Sequence, residues 1–245
     1  DEFWYGEHHT GGYELSASPE LMIAAAAQRT QRIRLGTGVV SLPYHNPLMV
    51  ANRIAQLDHL TRGRVMLGLG PGSLPTDGIM VGLSQTQTRP LLEEGLDVIM
   101  QLLTTEAPVT FKNDRWDLRD ARLHLRPYSN PLFDVVVPAV ASPTGPKLAG
   151  QHGIGLLSIG ATTAAGFDAL ALHWDVMEAQ AAHYKTRVDR DKWRLVGMVH
   201  CAETMDQAYR DVEYGMEHWF NYFQAVTANM ANPGTASGVS MVLSS

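Results

Sequence analysis

The feature that most constrains this chain is its rhythm. Short apolar runs of β type alternate with longer stretches of helical period along most of its 245 residues. Strands that are apolar throughout need cover on both faces, and a helix returning between two such strands makes them parallel. Strands are read at residues 2–7, 33–40, 65–70, 133–140, 155–159 and 195–201, and helices at 19–30, 47–61, 86–103, 145–151, 166–188 and 205–222. Ser18 before Pro19 and Glu20 reads as an N-cap with proline in the first turn, and Thr204 with Gln207 as a capping box. Between 104 and 131 the alternation gives way to a charged stretch in which Phe111, Trp116 and Leu118 flank Lys112, Asn113, Asp114 and Arg115. That stretch reads as an excursion, a small hairpin. With no internal repeat or flexible linker, residues 1–245 read as one domain. The chain opens on Asp1 and runs at once into Phe3, Trp4 and Tyr5, as though joined inside a domain, and 238–245 reads as a weak apolar strand with nothing after it. The expectation is therefore a single incomplete domain.

Composition narrows the partners. A net charge of -6 built from interspersed acids and bases, with no cluster of Lys and Arg, disfavours nucleic acid. A single cysteine, Cys201, excludes an intrachain disulfide and a multi-thiolate zinc site, and it suits a reducing compartment, so a cytoplasmic location is expected. No run approaches the roughly 18 uninterrupted apolar residues that a membrane span requires.

An open doubly wound sheet shares the same rhythm. Gly68-Leu69-Gly70-Pro71-Gly72 follows a strand but departs from G-x-G-x-x-G, and Pro71 removes a backbone donor, so a dinucleotide turn is disfavoured. Glu7-His8-His9 stands at the carboxyl end of a strand, where β/α barrels carry their chemistry; a solvated strand-to-loop junction is the plainer reading. A metal site there is disfavoured, because neighbouring residues on an extended chain point to opposite faces. At residues 35–43 (L-G-T-G-V-V-S-L-P) small side chains let a flat molecule approach the backbone, or simply form a tight corner. Residues 139–146 (A-V-A-S-P-T-G-P) end a strand and begin a helix whose free N–H groups suit a phosphate, or are an ordinary cap. Arg89 could pair with that phosphate or be a solvated surface residue. Asp58 reads as structural, pairing with Arg62 or Arg64 around Gly63, and Phe3 to Tyr5 read as core. The remaining histidines, standing singly, receive no role.

Taken in order, these segments resemble the bacterial-luciferase-like family of flavin monooxygenases. The resemblance rests on D-E-F-W-Y-G-E-H-H at 1–9, I-R-L-G-T-G-V-V-S-L-P at 33–43 with H-N-P at 45–47, L-D-H-L-T-R-G-R at 57–64, and G-L-G-P-G at 68–72. It continues through Arg89, R-L-H-L-R-P at 122–127, the 139–146 loop and 150–155. It covers about nine tenths of the chain and is nearest the diketocamphane and limonene monooxygenase branch. The resemblance implies a (β/α)₈ TIM barrel whose first strand and C-terminal end are missing from this sequence. It implies reduced FMN from a separate reductase, reacting with dioxygen to a flavin 4a-hydroperoxide that oxygenates a small apolar, terpenoid-like substrate, and it implies a homodimer. It assigns His8, with His9 beside it, to catalysis. To the cofactor it assigns Glu7, a cis peptide at Gly38-Val39, Arg89, the backbone of Ala139, Val140 and Ala141, and Ser142. Luciferase itself carries an arginine where this chain has Pro71, which leaves Arg89 and the Ser142 loop for the phosphate. The alternatives are a deazaflavin-dependent oxidoreductase, a non-catalytic flavin-binding barrel, and a metal-dependent hydrolase using Glu7, His8 and His9.

Overall fold

The structure, a computed structural model, describes residues 1–12 and 15–231. The strand expected at 238–245 lies outside them. The elements are β1 (Glu2–Tyr5), α1 (Pro19–Ala27), β2 (Arg34–Thr37), β3 (Val40–Ser41), α2 (Pro47–Thr61), β4 (Val65–Gly70), α3 (Pro75–Met80), α4 (Gln85–Thr104), β5 (Val109–Lys112), β6 (Asp117–Ala121), β7 (Val135–Ala139), α5 (Thr144–His152), β8 (Gly155–Ile159), α6 (Ala164–Tyr184), β9 (Trp193–Val196) and α7 (Met205–Ala231). Seven strands form one sheet in the order β1-β2-β4-β7-β8-β9, with β3 also on β4, and every pairing in it is parallel. The hairpin expected between 104 and 131 is β5 against β6, antiparallel.

Alternation along each strand sorts its side chains between two faces. On β4, Val65, Leu67 and Leu69 join a core with Val50 and Ile54 of α2 and Leu96 and Ile99 of α4, and on β7 Val135, Val137 and Ala139 do the same. Each such fully buried aliphatic side chain contributes about 1.5–3 kcal/mol. The opposite face curls into the inside of an α/β barrel, which among the described residues stays open between β1 and β9. Glu2 of β1 and Arg194 of β9 meet across this interior at 2.7 and 2.8 Å. Arg34 and Arg194 both donate to Asp134 Oδ2 at 2.8 Å, and the Arg194 guanidinium lies 5.4 Å from the Trp4 ring centroid.

Several expectations need correction. Among the described residues the last strand is β9 at Trp193–Val196, not 195–201: it takes in Arg194, whose charge is neutralised inside the barrel by Glu2 and Asp134. Asp58 pairs with neither Arg62 nor Arg64; its carboxylate accepts from Ser129 N and Oγ at 2.7 and 2.8 Å, while Arg64 donates to Thr30 Oγ1, to carbonyls at and just after the end of α1, and to Thr61 O at the end of α2. Ser18 occupies the N-cap position, but its hydroxyl donates to Glu20 and caps no backbone N–H. Thr204 Oγ1 accepts from Gln207 N, whereas the Gln207 side chain turns to Asp211, so the box is half formed. Of Phe3 to Tyr5, Tyr5 packs on the core, Trp4 faces the barrel interior against Gly36, and Phe3 is half exposed.

Candidate active site

The candidate residues gather at the carboxyl ends of β1, β2, β4 and β7, the end of a β/α barrel that carries its chemistry. The floor comes from glycines. A Cβ on Gly36 would lie 2.3 Å from the Trp4 ring, and one on Gly68 would lie 2.2 Å from Thr37 O and 3.1 Å from Val39 Cγ1. A Cβ on Gly70 would lie 2.5 Å from Val39 Cγ2. Gly68 and Gly70 are thus bare because the chain leaving β2 folds Val39 onto them. The Gly38-Val39 peptide there is cis, and Gly38 is exposed at the mouth. The β2–β4 ladder is patched where it parts: Thr37 Oγ1 donates to Gly68 O and accepts from Gly68 N, both at 2.9 Å.

Past the end of β1, two buried carboxylates organise the loop. Glu7, only 3% exposed, accepts from Ser41 N at 2.7 Å, His45 Nε2 at 2.7 Å and His9 Nε2 at 3.0 Å. Burial opposes its ionisation, but the bonds from His45, Ser41 N and His9 outweigh that and hold its pKa below the ordinary value. Asp77, on α3, is 2% exposed and accepts from Thr10 Oγ1 at 2.6 Å and from His9 N at 3.3 Å. His8 Nδ1 lies 3.5 Å from Asp77 Oδ2, an ion-pair separation rather than a formed hydrogen bond. Asp77 is likewise held low, burial being overcome by His8, Thr10 and the His9 N–H. The Tyr44 ring lies 6.3 Å from that of His9. Its hydroxyl is buried without a hydrogen-bond partner, where a Cβ on Gly72 would come within 2.2 Å. Burial and the charges of Asp77 and Glu7 raise the Tyr44 pKa, so the phenol stays protonated.

The structure ties His9 to Glu7 and sets His8 beside Asp77 on the same loop, while Gly38 N donates to Tyr5 O at 2.6 Å just before that loop. On β7, the side chain of Ala139 is buried towards α5, and Val140 and Ala141 emerge exposed. Ser142 Oγ accepts from Thr144 N at 3.3 Å and shares a 3.0 Å bond with Thr144 Oγ1 at the start of α5. Arg89 is exposed in the second turn of α4, and no hydrogen bond or ion pair joins it to Ser142. Sequence reasoning passed over His45, Asp77 and Tyr44. The available signal was position: His45 directly precedes the Asn46-Pro47 helix start, where Asn46 caps Leu48 N, and Asp77 follows the end of β4 on a short helix opened by Pro75. Among the described residues, no group of three or more His, Cys, Asp or Glu is arranged to hold a metal ion.

Residues 1–238 match the family described as luciferase-like monooxygenase. The chain is 52% identical over 230 residues to limonene 1,2-monooxygenase of Rhodococcus erythropolis, covering 94% of this chain and 59% of that protein. It is 46% identical over 235 residues to 4-hydroxyprotoasukamycin monooxygenase of Streptomyces nodosus subsp. asukaensis, covering 95% and 62%. The chain thus spans about three fifths of the length of these curated relatives. Among solved structures it resembles the oxygenating constituent of 3,6-diketocamphane monooxygenase from Pseudomonas putida, a type II Baeyer-Villiger monooxygenase in complex with FMN. That likeness has a TM-score of 0.79 and 25% identity, and covers 94% of this chain and 67% of that one.

Proposed function

The chain belongs to the luciferase-like monooxygenase family, and on that footing we propose that it is the catalytic part of an FMN-dependent monooxygenase acting on a small apolar, terpenoid-type molecule. The observation that carries this reading is the glycine-floored shelf at Gly38-Val39 beside histidines held by two buried carboxylates. The residues present fit a flavin: Gly36, Gly68 and Gly70 keep side chains off the floor, and Gly38, Val140 and Ala141 leave exposed backbone at the mouth. Gly38, Val39 and the backbone of Ala139, Val140 and Ala141 would hold the ring system, with Ser142 and Arg89 on the phosphate.

Bound reduced FMN supplies the activation of dioxygen. The chain's own contribution is placement and proton control. Glu7, with its oxygens occupied, acts on the cofactor through His9 and His45 rather than by touching it. His8 is the group for accepting or returning a proton, and His9 stands beside it. An apolar substrate is supported by Val140, Ile159 and Val196, which are exposed at the carboxyl ends of β7, β8 and β9. They alternate onto the same face as Arg194, which is the barrel interior. A separate flavin reductase and a pairing of two copies belong to the same reading. Exposed Leu21, Met22 and Met49 on the adjoining α1 and α2 favour the pairing, and sedimentation tests it. Among the described residues no helix is long and apolar enough to cross a membrane, and a cytoplasmic location is part of the proposal.

The test is anaerobic titration of the protein with reduced FMN, then mixing with dioxygen and a monoterpene while the flavin spectrum and the products are followed, for wild type and His8→Ala. Tight binding, reoxidation slower than that of free flavin and an oxygenated terpene support the reading, with His8→Ala diverting oxygen to hydrogen peroxide. Failure to bind reduced FMN, or reoxidation indistinguishable from free flavin, overturns it; binding of a deazaflavin in its place favours the alternative redox chemistry.

A further inference from the structure

Two adjacent histidines share the loop after β1, and the two buried carboxylates treat them differently. His9 and His45 present Nε2 to Glu7 Oε1, at 3.0 and 2.7 Å. An ionised carboxylate only accepts, so both rings carry their proton on Nε2. His8 presents the other nitrogen: its Nδ1 is buried, and 3.5 Å away lies Asp77 Oδ2. A lone pair on Nδ1 facing that carboxylate would be repelled, whereas an N–H there is attracted. No described residue bonds His8 Nε2, and the backbone fixes the ring's base, since His8 N donates to Ser16 O at 3.2 Å.

We propose that Asp77 is the positioning residue of the site, holding His8 as its Nδ1–H tautomer so that Nε2 is the one open proton acceptor of the Glu7-His8-His9 segment. This deepens the monooxygenase reading and rests on it for the use of that proton. His9 belongs to the Glu7 cluster and serves to position, because its Nε2 is occupied by a carboxylate that also holds His45 and Ser41. Asp77 is itself fixed by Thr10 Oγ1 at 2.6 Å, and Thr10 Oγ1 shares a further 2.6 Å bond with Thr76 Oγ1. A ring that takes a proton on Nε2 becomes a cation facing Asp77, which stabilises it in place. The 3.5 Å separation is of the kind that shortens once the ring is charged or the site is filled.

The deciding measurement is a long-range proton–nitrogen NMR spectrum of the histidine rings in the protein without flavin, with the His8 signals assigned by their loss in His8→Gln. The expected result is the Nδ1–H pattern for His8 and the Nε2–H pattern for His9. In Asp77→Asn the His8 pattern is lost, or becomes a mixture of tautomers, while His9 stays unchanged; Asp77→Glu restores it. In Glu7→Gln the His9 signals move and those of His8 do not. An Nε2–H pattern for His8 in wild type overturns the proposal without need of any variant, and so does an unchanged His8 pattern in a folded Asp77→Asn. Because no flavin is present, failure here leaves the reduced-FMN titration untouched, and failure of that titration leaves the tautomer assignment untouched.

Discussion

Gly68→Ala tests the link between the glycine floor and the site above it. The added Cβ falls 2.2 Å from the backbone oxygen of Thr37 and 3.1 Å from Val39 Cγ1, and the first of these neighbours is main chain of a paired strand. Something must move by about 1 Å to restore ordinary contact, and overpacking of this kind costs about 1–3 kcal/mol. The movement pulls on the Thr37 Oγ1 pair with Gly68 N and O, 2.9 Å each, whose loss adds roughly 1 kcal/mol. The expected sum is a loss of about 2–4 kcal/mol, read as a lower urea midpoint at unchanged slope. Since Val39 rides on Gly68 and Gly70, affinity for reduced FMN should also fall in the protein that remains folded. Gly215→Ala is the control: nothing lies within 4 Å of its added Cβ, and inside α7 the change should gain up to about 1 kcal/mol. A Gly68→Ala protein as stable as wild type, binding FMN as well, would refute the argument that these glycines exist to seat Val39.

Other perturbations read other parts of the molecule. Glu7→Gln should cost roughly 2–3 kcal/mol at neutral pH by weakening its bonds to His9, His45 and Ser41 N. Its pH signature follows from sign: the folded pKa lies below the ordinary 4.5, so the stabilisation is complete above that value and is lost as pH falls through the folded pKa. Urea midpoints taken across the acid range should therefore drop less steeply for Glu7→Gln than for wild type. Asp134→Ala leaves Arg194 and Arg34 short of a partner inside the barrel and should cost about 3 kcal/mol, while Arg119→Ala, at an exposed pair with Asp117, should leave the denaturation midpoint unmoved. Ser142→Ala should weaken reduced FMN about tenfold by equilibrium titration, with stability nearly unchanged, if the Ser142 loop holds the phosphate.

The elements legible in the sequence were those whose pattern is local. The apolar run of β4 and the helical period of α2 and α4 are written in neighbouring residues, and their bounds agree closely with the structure. The strand at 193–196 was shifted because Arg194 is a charge placed by partners 60 and 192 residues away, which no window along the chain contains. Asp58 failed for the same reason, its partner Ser129 being 71 residues distant. In the site, Glu7, His8 and His9 stood out as three polar residues in a row. Asp77, 68 residues beyond His9, became visible only once the chain leaving β4 was folded back over the loop after β1.

The bridge between Arg194 and Glu2 sets a timetable for synthesis. With 192 residues between the partners, a ribosome adding about 5–20 residues per second leaves Glu2 with Arg34, 32 residues on, as its cationic partner for some 10–40 seconds before Arg194 is made. During that interval the strands can stack in order, each on the last, with Arg34 bridging Glu2 and Asp134. A pause or premature stop before residue 194 would release a partly wound sheet in which Glu2 and Asp134 share Arg34 and lack Arg194, a natural client for chaperones.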